Sequence, residues 1–246
     1  MAQAAAAPLR AQTLLDLADA AQGEAPILRA LRVAAAAGED PAELRDAPLG
    51  HLHAAVLGLH TALAGPRLEA VASCPRCAAA IEFTLDADVL RGLRREAVPG
   101  ELVLTTGAGR WRARWRVPTA GDLAEVVGRV DAASALLERC CDVTAPPGEE
   151  TAAAPPELVE RIETALADAD PLAEVTVDLA CPDCGAVFDA DVDPIAFVWR
   201  EVESRARRVL GEVDTLARAY GWTEAEVLAL TERRRMAYLE IVREGS

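Results

Sequence analysis

The sequence of 246 residues contains no lysine and no asparagine, so arginine supplies all 25 positive charges of its side chains. The 40 aspartates and glutamates outnumber these arginines, and the net charge is −15 at pH 7. Nucleic acids and anionic membranes repel such a surface, and we therefore expect neither as a partner. A basic protein surface remains compatible with this charge.

Signals for export or membrane insertion are also missing. No run of about 18 apolar residues is present, which predicts no transmembrane helix. The N-terminus lacks the basic-then-apolar layout of a signal peptide. We therefore expect a cytoplasmic protein with reduced thiols, in which a CxxC pair is more often a metal or redox motif than a structural disulfide.

Catalytic motifs are absent as well. The chain has no GxSxG, no P-loop, no GxGxxG after a strand and no HExxH. The acidic stretch FDADVDP lacks the loop glycine and the distal glutamate of an EF-hand, so its acids are expected to be solvated or to cap a helix. We expect a protein that is not an enzyme and has no small-molecule substrate.

Two short stretches carry one motif, CPRC at Cys74 and CPDC at Cys181, 107 residues apart. Around both, apolar residues alternate with other residues in the pattern of a half-buried β-strand. The same offset aligns Leu68 with Val175 and Leu85 with Val192. We predict a duplicated β-hairpin with a CPxC turn at each tip.

Two CxxC turns supply the four soft ligands that a tetrahedral zinc site requires. A long loop between them adds little closure entropy, so one shared site is the economical interpretation. The predicted cofactor is one structural Zn²⁺ per chain, with the ligands Cys74, Cys77, Cys181 and Cys184. The first turn has Ala78 where the second has Gly185, and we expect slight strain there.

Other interpretations of the cysteines and histidines stay open. A thioredoxin-like redox pair requires a helix after the motif, whereas a strand follows here. Two separate metal sites would need further ligands, and Cys140 and Cys141 are expected to be small core residues instead. His51, His53 and His60 lack the i, i+4 spacing of a helical metal pair, and we expect them on the surface of a helix or half-buried.

A strand between the two motifs places tryptophans on one face and arginines on the other. Its apolar face should be deeply buried. The opposite face, Arg110, Arg112, Arg114 and Arg116, is either a binding surface or a solvated surface balanced by nearby acids. Thr119 with Asp122 predicts a capped helix that runs to about Cys141.

The predicted fold class is α+β. It combines a helical N-terminal region, split zinc-ribbon-like β-hairpins with an inserted Trp/Arg hairpin and helix, and a helical C-terminal region. A glycine C-cap at Gly221 and a capping box of Thr223 with Glu226 divide the last region. The predicted segments are 1–66 (helical), 67–143 (first hairpin and insert), 144–157 (Pro/Ala/acidic linker), 158–193 (short helix and second hairpin) and 194–246 (C-terminal helices).

The segment from about Asp170 to Val242 resembles a family of baseplate-associated proteins of contractile phage tails and related injection systems, of the T-even-type baseplate hub assembly chaperone kind. The resemblance rests on CPDCG, FVWREV, LARAYGWTEAEVLAL and RRRMAYLEIV together. A looser similarity extends through PLGHLHAAVLGLHTALAGPRLEAVASCPRC and RVPTAGDL. Thr231-Glu232 departs from the Ser-Pro expected before the arginines, and Ala78 departs from a glycine.

This resemblance implies a non-enzymatic role in assembling a tail baseplate within a bacterial host, through contacts with baseplate or hub proteins. The C-terminal helices offer the aromatic and arginine side chains that commonly anchor interfaces. The partner-binding candidates are Tyr220, Trp222, Arg233, Arg234, Arg235 and Tyr238, unless the aromatics pack internally and the arginines are solvated. The alternative function is a zinc ribbon that binds nucleic acid or a transcription-related partner through the arginine strand.

Overall fold

The computed structural model describes residues 9–149 and 153–245, in which the sequence forms helices and three small antiparallel sheets. The helices are α1 (Ala11–Ala20), α2 (Pro26–Ala36), α3 (Pro41–Asp46), α4 (Leu49–Ala64), α5 (Ala87–Arg91), α6 (Ala120–Val126), α7 (Ala132–Cys140), α8 (Pro156–Ala169), α9 (Pro194–Tyr220), α10 (Glu224–Ala229) and α11 (Glu232–Glu244). The strands are β1 (Arg67–Ser73), β2 (Ala80–Asp86), β3 (Gly100–Thr106), β4 (Gly109–Trp115), β5 (Cys141–Thr144), β6 (Val175–Ala180) and β7 (Val187–Val192). The predicted α+β class is confirmed.

The largest core joins the N-terminal helices to the first part of α9. Leu52 and Val56 of α4 are fully buried there with Val202 of α9. Most of the circumference of α4 is buried, and its three histidines differ in exposure. His53 is 6% exposed and His60 is 7% exposed, so the expectation of surface or half-buried histidines is wrong for both. His51 is half-buried, as predicted.

Two hairpins, β1–β2 and β6–β7, carry the CPxC turns at their tips, as the alternation predicts. Leu68 pairs with Leu85 in the first hairpin, and Val175 pairs with Val192 in the second. The two hairpins therefore share one register at the offset of 107 residues. Their inner faces pack into one core with Leu57 of α4.

The middle sheet has the strand order β3-β4-β5, and α8 covers one of its faces. Trp111 and Ala113 of β4 are buried against Leu158 and Ile162 of α8, as predicted for the apolar face. The single helix predicted from Thr119 to about Cys141 is wrong. The chain forms α6 and α7 instead, with Gly128 in the left-handed region (φ +77°) between them.

The residues after α7 form β5, a strand that the sequence analysis does not predict. It pairs with β4, placing Cys141 opposite Trp115. Within the predicted linker 144–157, Thr144 belongs to β5 and α8 begins at Pro156. Residues 150–152 of this linker lie outside the described residues.

The C-terminal region follows the predicted helix boundaries. Helix α9 begins after Asp193, whose side chain accepts a hydrogen bond from Ile195 N, and it ends at Gly221 with φ +69°. Thr223 and Glu226 form the predicted capping box at α10. Across residues 9–149 and 153–245, no helix has both the length and the apolar character needed to cross a membrane. The five segment boundaries, which no observation tests, stay predictions.

Candidate metal centre

Each CPxC turn is closed by the same pair of backbone hydrogen bonds. In the first turn, Cys74 N donates to Ala79 O at 2.9 Å and Ala78 N donates to Cys74 O at 2.9 Å. In the second, Cys181 N donates to Ala186 O at 2.8 Å and Gly185 N donates to Cys181 O at 2.9 Å. The strands on either side hold both turns in this geometry.

The residue after the second cysteine occupies the left-handed region in both turns. Gly185 has φ +70°, which glycine adopts without strain. Ala78 has φ +59° and is the single non-glycine residue with positive φ among the described residues. Alanine is strained in this conformation by roughly 1–2 kcal/mol, so the expected strain at the first turn is confirmed.

The four cysteine sulfurs meet between the two hairpin tips. Cys74 Sγ lies 3.6 Å from Cys184 Sγ, and Cys77 Sγ lies 3.6 Å from Cys181 Sγ. All four sulfurs lie within 4.8 Å of one another. A regular tetrahedron with metal–sulfur bonds of about 2.3 Å has edges of about 3.8 Å, so the observed spacing fits four thiolates around one ion. The chain can therefore hold a metal ion at this cluster.

The cluster combines protected and accessible sulfurs. Cys74 and Cys181 are each 2% exposed, whereas Cys184 is half-buried and Cys77 is exposed. No fifth ligand accompanies the sulfurs among the described residues, and four protein ligands complete a tetrahedral shell. Such a closed shell has no open position for substrate, which is the layout of a structural metal site rather than a catalytic one.

The electrostatics of the cluster favour a bound cation. Burial raises the pKa of the Cys74 thiol, but the N–H groups of Arg76 and Cys77 and the neighbouring thiols lower it to about 7. At Cys77, the N–H of Ala79 lowers the pKa, but the thiols of Cys181 and Cys184 together with burial raise it to about 12. Since adjacent thiolates repel one another, full ionisation of the four sulfurs requires a positive ion between them.

The remaining cysteines lie outside the cluster. Cys140 is buried, 3.9 Å from a guanidinium nitrogen of Arg116, and burial raises the pKa of its thiol to about 11. Cys141 is half-buried in β5, and burial raises its pKa as well. Both are packed residues with protonated thiols, in agreement with their predicted role.

A polar contact that the sequence does not reveal ties the second hairpin to α4. The carboxylate of Asp170 is buried and accepts a hydrogen bond of 2.8 Å from Gly50 N in the first turn of α4. Two residues later, Leu172 O lies 2.8 Å from Nδ1 of His53. A Cβ at position 50 would lie 2.0 Å from Oδ1 of Asp170, so this approach requires glycine.

The arginine strand is flanked by acidic residues. Arg110, Arg112 and Arg114 are exposed, and Arg114 pairs in register with Glu101 on β3 and with Asp142 on β5. Arg112 lies 3.8 Å from Glu101. This arrangement favours the interpretation of a solvated face balanced by acids.

Arg116 lies just after β4 and forms a separate ion pair with a buried carboxylate. With Arg139 it contacts Asp122, which is 3% exposed; the distances are 2.5 Å from Arg116 and 3.1 Å from Arg139. Burial raises the pKa of Asp122, but the bonds from Arg116 and Thr119 hold it well below its usual range. Asp122 also completes the capping box that Thr119 predicts for α6.

The six candidate partner residues divide into three sets. Tyr220, Trp222 and Tyr238 form one aromatic cluster, with ring centroids 4.7 to 5.7 Å apart, and Tyr220 remains 38% exposed. Arg233 and Arg234 are exposed on α11. The sixth residue, Arg235, is only 6% exposed and contacts Glu212 at 2.9 Å. Its side chain therefore stabilises the fold and is not exposed to a partner.

Comparison with known proteins does not assign the chain to a family. No protein-family model matches it, no curated protein matches it, and no solved structure matches it.

Proposed function

We propose that the chain is a non-enzymatic assembly factor or minor structural component of a contractile-tail baseplate, held together by one structural Zn²⁺. The observation that carries the metal part is the tetrahedral spacing of the four sulfurs of Cys74, Cys77, Cys181 and Cys184. Zinc suits four thiolates and tetrahedral geometry, although iron accepts the same ligand set. The bound ion would cross-link two hairpins that are far apart in sequence and stabilise the folded chain.

Metal analysis of the purified protein tests this part directly. Protein expressed with zinc and iron both present should contain about one zinc per chain by inductively coupled plasma mass spectrometry. A zinc content near zero, or iron in its place with the red colour of an iron–thiolate site, would contradict the assignment. A thiol titration checks the ligand count, since four of the six cysteines should become reactive when the metal is removed.

The assembly part of the proposal rests on the resemblance of the segment from Asp170 to Val242 to baseplate-associated proteins. Three observations are compatible with a binding role: the cysteine cluster has a closed ligand set, Tyr220 is exposed at the aromatic cluster, and Arg233 and Arg234 are exposed on α11. Aromatic and arginine side chains of this kind commonly anchor protein interfaces.

A native pull-down of the tagged chain from its source cells tests the assembly part. Recovery of tail tube, hub or baseplate proteins would support it, and a chain with Arg233→Glu and Arg234→Glu should then recover less of the partner. Arg243→Glu, a single charge reversal on the same helix, is compared with each of these two changes made singly. Recovery of transcription machinery or RNA alone would contradict the assembly role and favour the nucleic-acid alternative.

A further inference from the structure

A cationic cavity lies between the start of α1, the middle of α9 and the turn that joins α10 to α11. Its volume is about 570 Å³, within the range of protein ligand sites. Four arginines and two glutamates line it, whereas the whole chain has a net charge of −15. The charged lining residues are Arg10, Arg205, Arg208, Arg235, Glu212 and Glu232.

Two of the four arginines are held in place by the fold. Arg235 donates from Nε to Glu212 and from Nη1 to Leu230 O, both at 2.9 Å. Arg205 contacts Glu201 at 2.5 Å and also donates to Leu63 O. Both guanidinium groups are already paired with glutamates of the fold, which leaves the other two arginines available to a ligand.

The other two arginines have no acid of their own. Within residues 9–149 and 153–245, neither Arg10 nor Arg208 forms an ion pair or a side-chain hydrogen bond. Arg10 is also the N-cap residue of α1, a helix of 10 residues whose first turn receives no side-chain cap. The positive end of that helix adds to the positive charge of the two arginines.

Apolar side chains complete the cavity. They belong to Leu9, Leu14, Val209, Leu228 and Leu230. A ligand that fits this lining must combine a negative group with an apolar one, and the volume is several times that of one side chain. Residues 1–8 contain no acidic side chain, so they do not supply the negative group.

We propose that this cavity binds an acidic, leucine-rich polypeptide segment of a partner, with a carboxylate between Arg10 and Arg208 and apolar side chains against the leucines. Charge complementarity selects the carboxylate. The size and the apolar wall favour a peptide over a lone anion. The site uses no residue of the four-cysteine cluster, and the inference does not depend on the baseplate proposal.

Fluorescence anisotropy with two labelled octapeptides tests this inference on the full-length protein. One peptide alternates leucine with glutamate, and the other alternates leucine with glutamine. We expect the glutamate peptide to bind at least about tenfold more tightly, and more weakly as salt is added. Arg208→Glu should weaken its binding by about tenfold or more.

Arg207 provides a matched control for Arg208. It is the adjacent residue of α9, is exposed and does not line the cavity. Arg207→Glu changes the net charge by the same amount, so it should alter the Kd less than about twofold if contact in the cavity decides binding.

Three results would overturn the inference. If Arg207→Glu and Arg208→Glu weaken binding of the glutamate peptide equally, net charge alone decides binding. If neither peptide binds, the cavity is not a peptide-binding site. Octanoate, a small carboxylate with an apolar chain, serves as the third probe: binding of octanoate with no binding of the glutamate peptide would assign the cavity to small molecules.

Discussion

The two CPxC hairpins have the same backbone geometry but differ in net charge. They have the same register and the same turn hydrogen bonds, and both supply two sulfurs to one cluster. Residues 67–86 contain three acids and two arginines, whereas residues 174–193 contain six acids and no arginine. The two hairpins therefore agree in their backbone and inner face and differ on their outer faces.

One cross-strand position illustrates this divergence. Val71 lies opposite Glu82 in the first hairpin, and at the equivalent position Asp178 lies opposite Asp189 in the second. A hydrogen bond between the two carboxyl groups raises the pKa of Asp189, and so does the charge repulsion from Asp178 across the strand pair. The second hairpin thus tolerates a destabilising pair that the first does not contain.

The largest expected effect comes from breaking the shared cluster. Cys74→Ser or Cys181→Ser should each reduce zinc from about one ion per chain to near zero, because a tetrahedral shell fails when either hairpin loses a ligand. We expect the thermal midpoint to fall by at least about 10 °C. Cys141→Ser, outside the cluster, should retain the metal. A single hairpin mutant that kept its zinc and its midpoint would show that the hairpins do not share one site.

The next effect concerns the attachment of the second hairpin to α4, which the first hairpin does not have. Asp170→Ala removes the carboxylate that caps α4 through Gly50 N and should lower the free energy of unfolding by about 2 kcal/mol. Asp168→Ala, a change at an exposed position two residues earlier in α8, should have little effect. The measurement is chemical denaturation.

Gly50→Ala checks this contact from the opposite side. Its Cβ would meet Asp170, so we expect a similar or larger loss of stability. The double mutant Gly50→Ala, Asp170→Ala should be more stable than Gly50→Ala alone, since the clash is removed. Strictly additive losses would indicate that the two residues do not contact each other.

A smaller effect should come from exchanging the turn residues. Ala78→Gly relieves a left-handed alanine and should stabilise the protein by about 0.5–1 kcal/mol. Gly185→Ala introduces the same strain in the second turn and should destabilise it by about 1 kcal/mol, with no steric contact to complicate the result. With zinc bound, the free energy of unfolding should rise for Ala78→Gly and fall for Gly185→Ala. A change in the same direction for both variants would contradict the equivalence of the turns.

The smallest effect should come from giving the second hairpin the residue of the first. Because the pKa of Asp189 is raised in the folded chain, the folded state binds that proton more tightly, and its relative stability decreases as the pH rises through this pKa. Asp178→Val should therefore stabilise the protein slightly at pH 7. The gain should vanish near about pH 3, where the carboxyls are protonated. A gain independent of pH would point to packing instead.

The elements that the sequence predicts are those with local or repeated signals. The alternation of apolar residues predicts the hairpins, and the offset of 107 residues predicts their shared register. An acidic residue three positions after a threonine predicts the capping boxes at Thr119 and Thr223. The cysteine cluster follows from motif spacing and from the duplicated hairpin. These signals lie within single elements or recur between them.

The missed features depend on contacts between distant residues. Asp170 and Gly50 are 120 positions apart, and no local pattern links them. The burial of His53 depends on how many helices and strands surround α4. The break between α6 and α7 did carry a signal, Gly128, which the helical periodicity on either side obscured.

The four-cysteine cluster joins the two hairpins, and the middle segment of the chain is inserted between these hairpins. Every residue of the core under the β3-β4-β5 sheet lies between Leu102 and Leu166, so this core is built entirely from the insert. The proposed metal ion would hold both ends of the insert together, which would make the insert a replaceable unit of the fold. Its length and sequence can change during evolution or engineering while the four sulfurs keep their positions, because lengthening a closed loop costs little entropy.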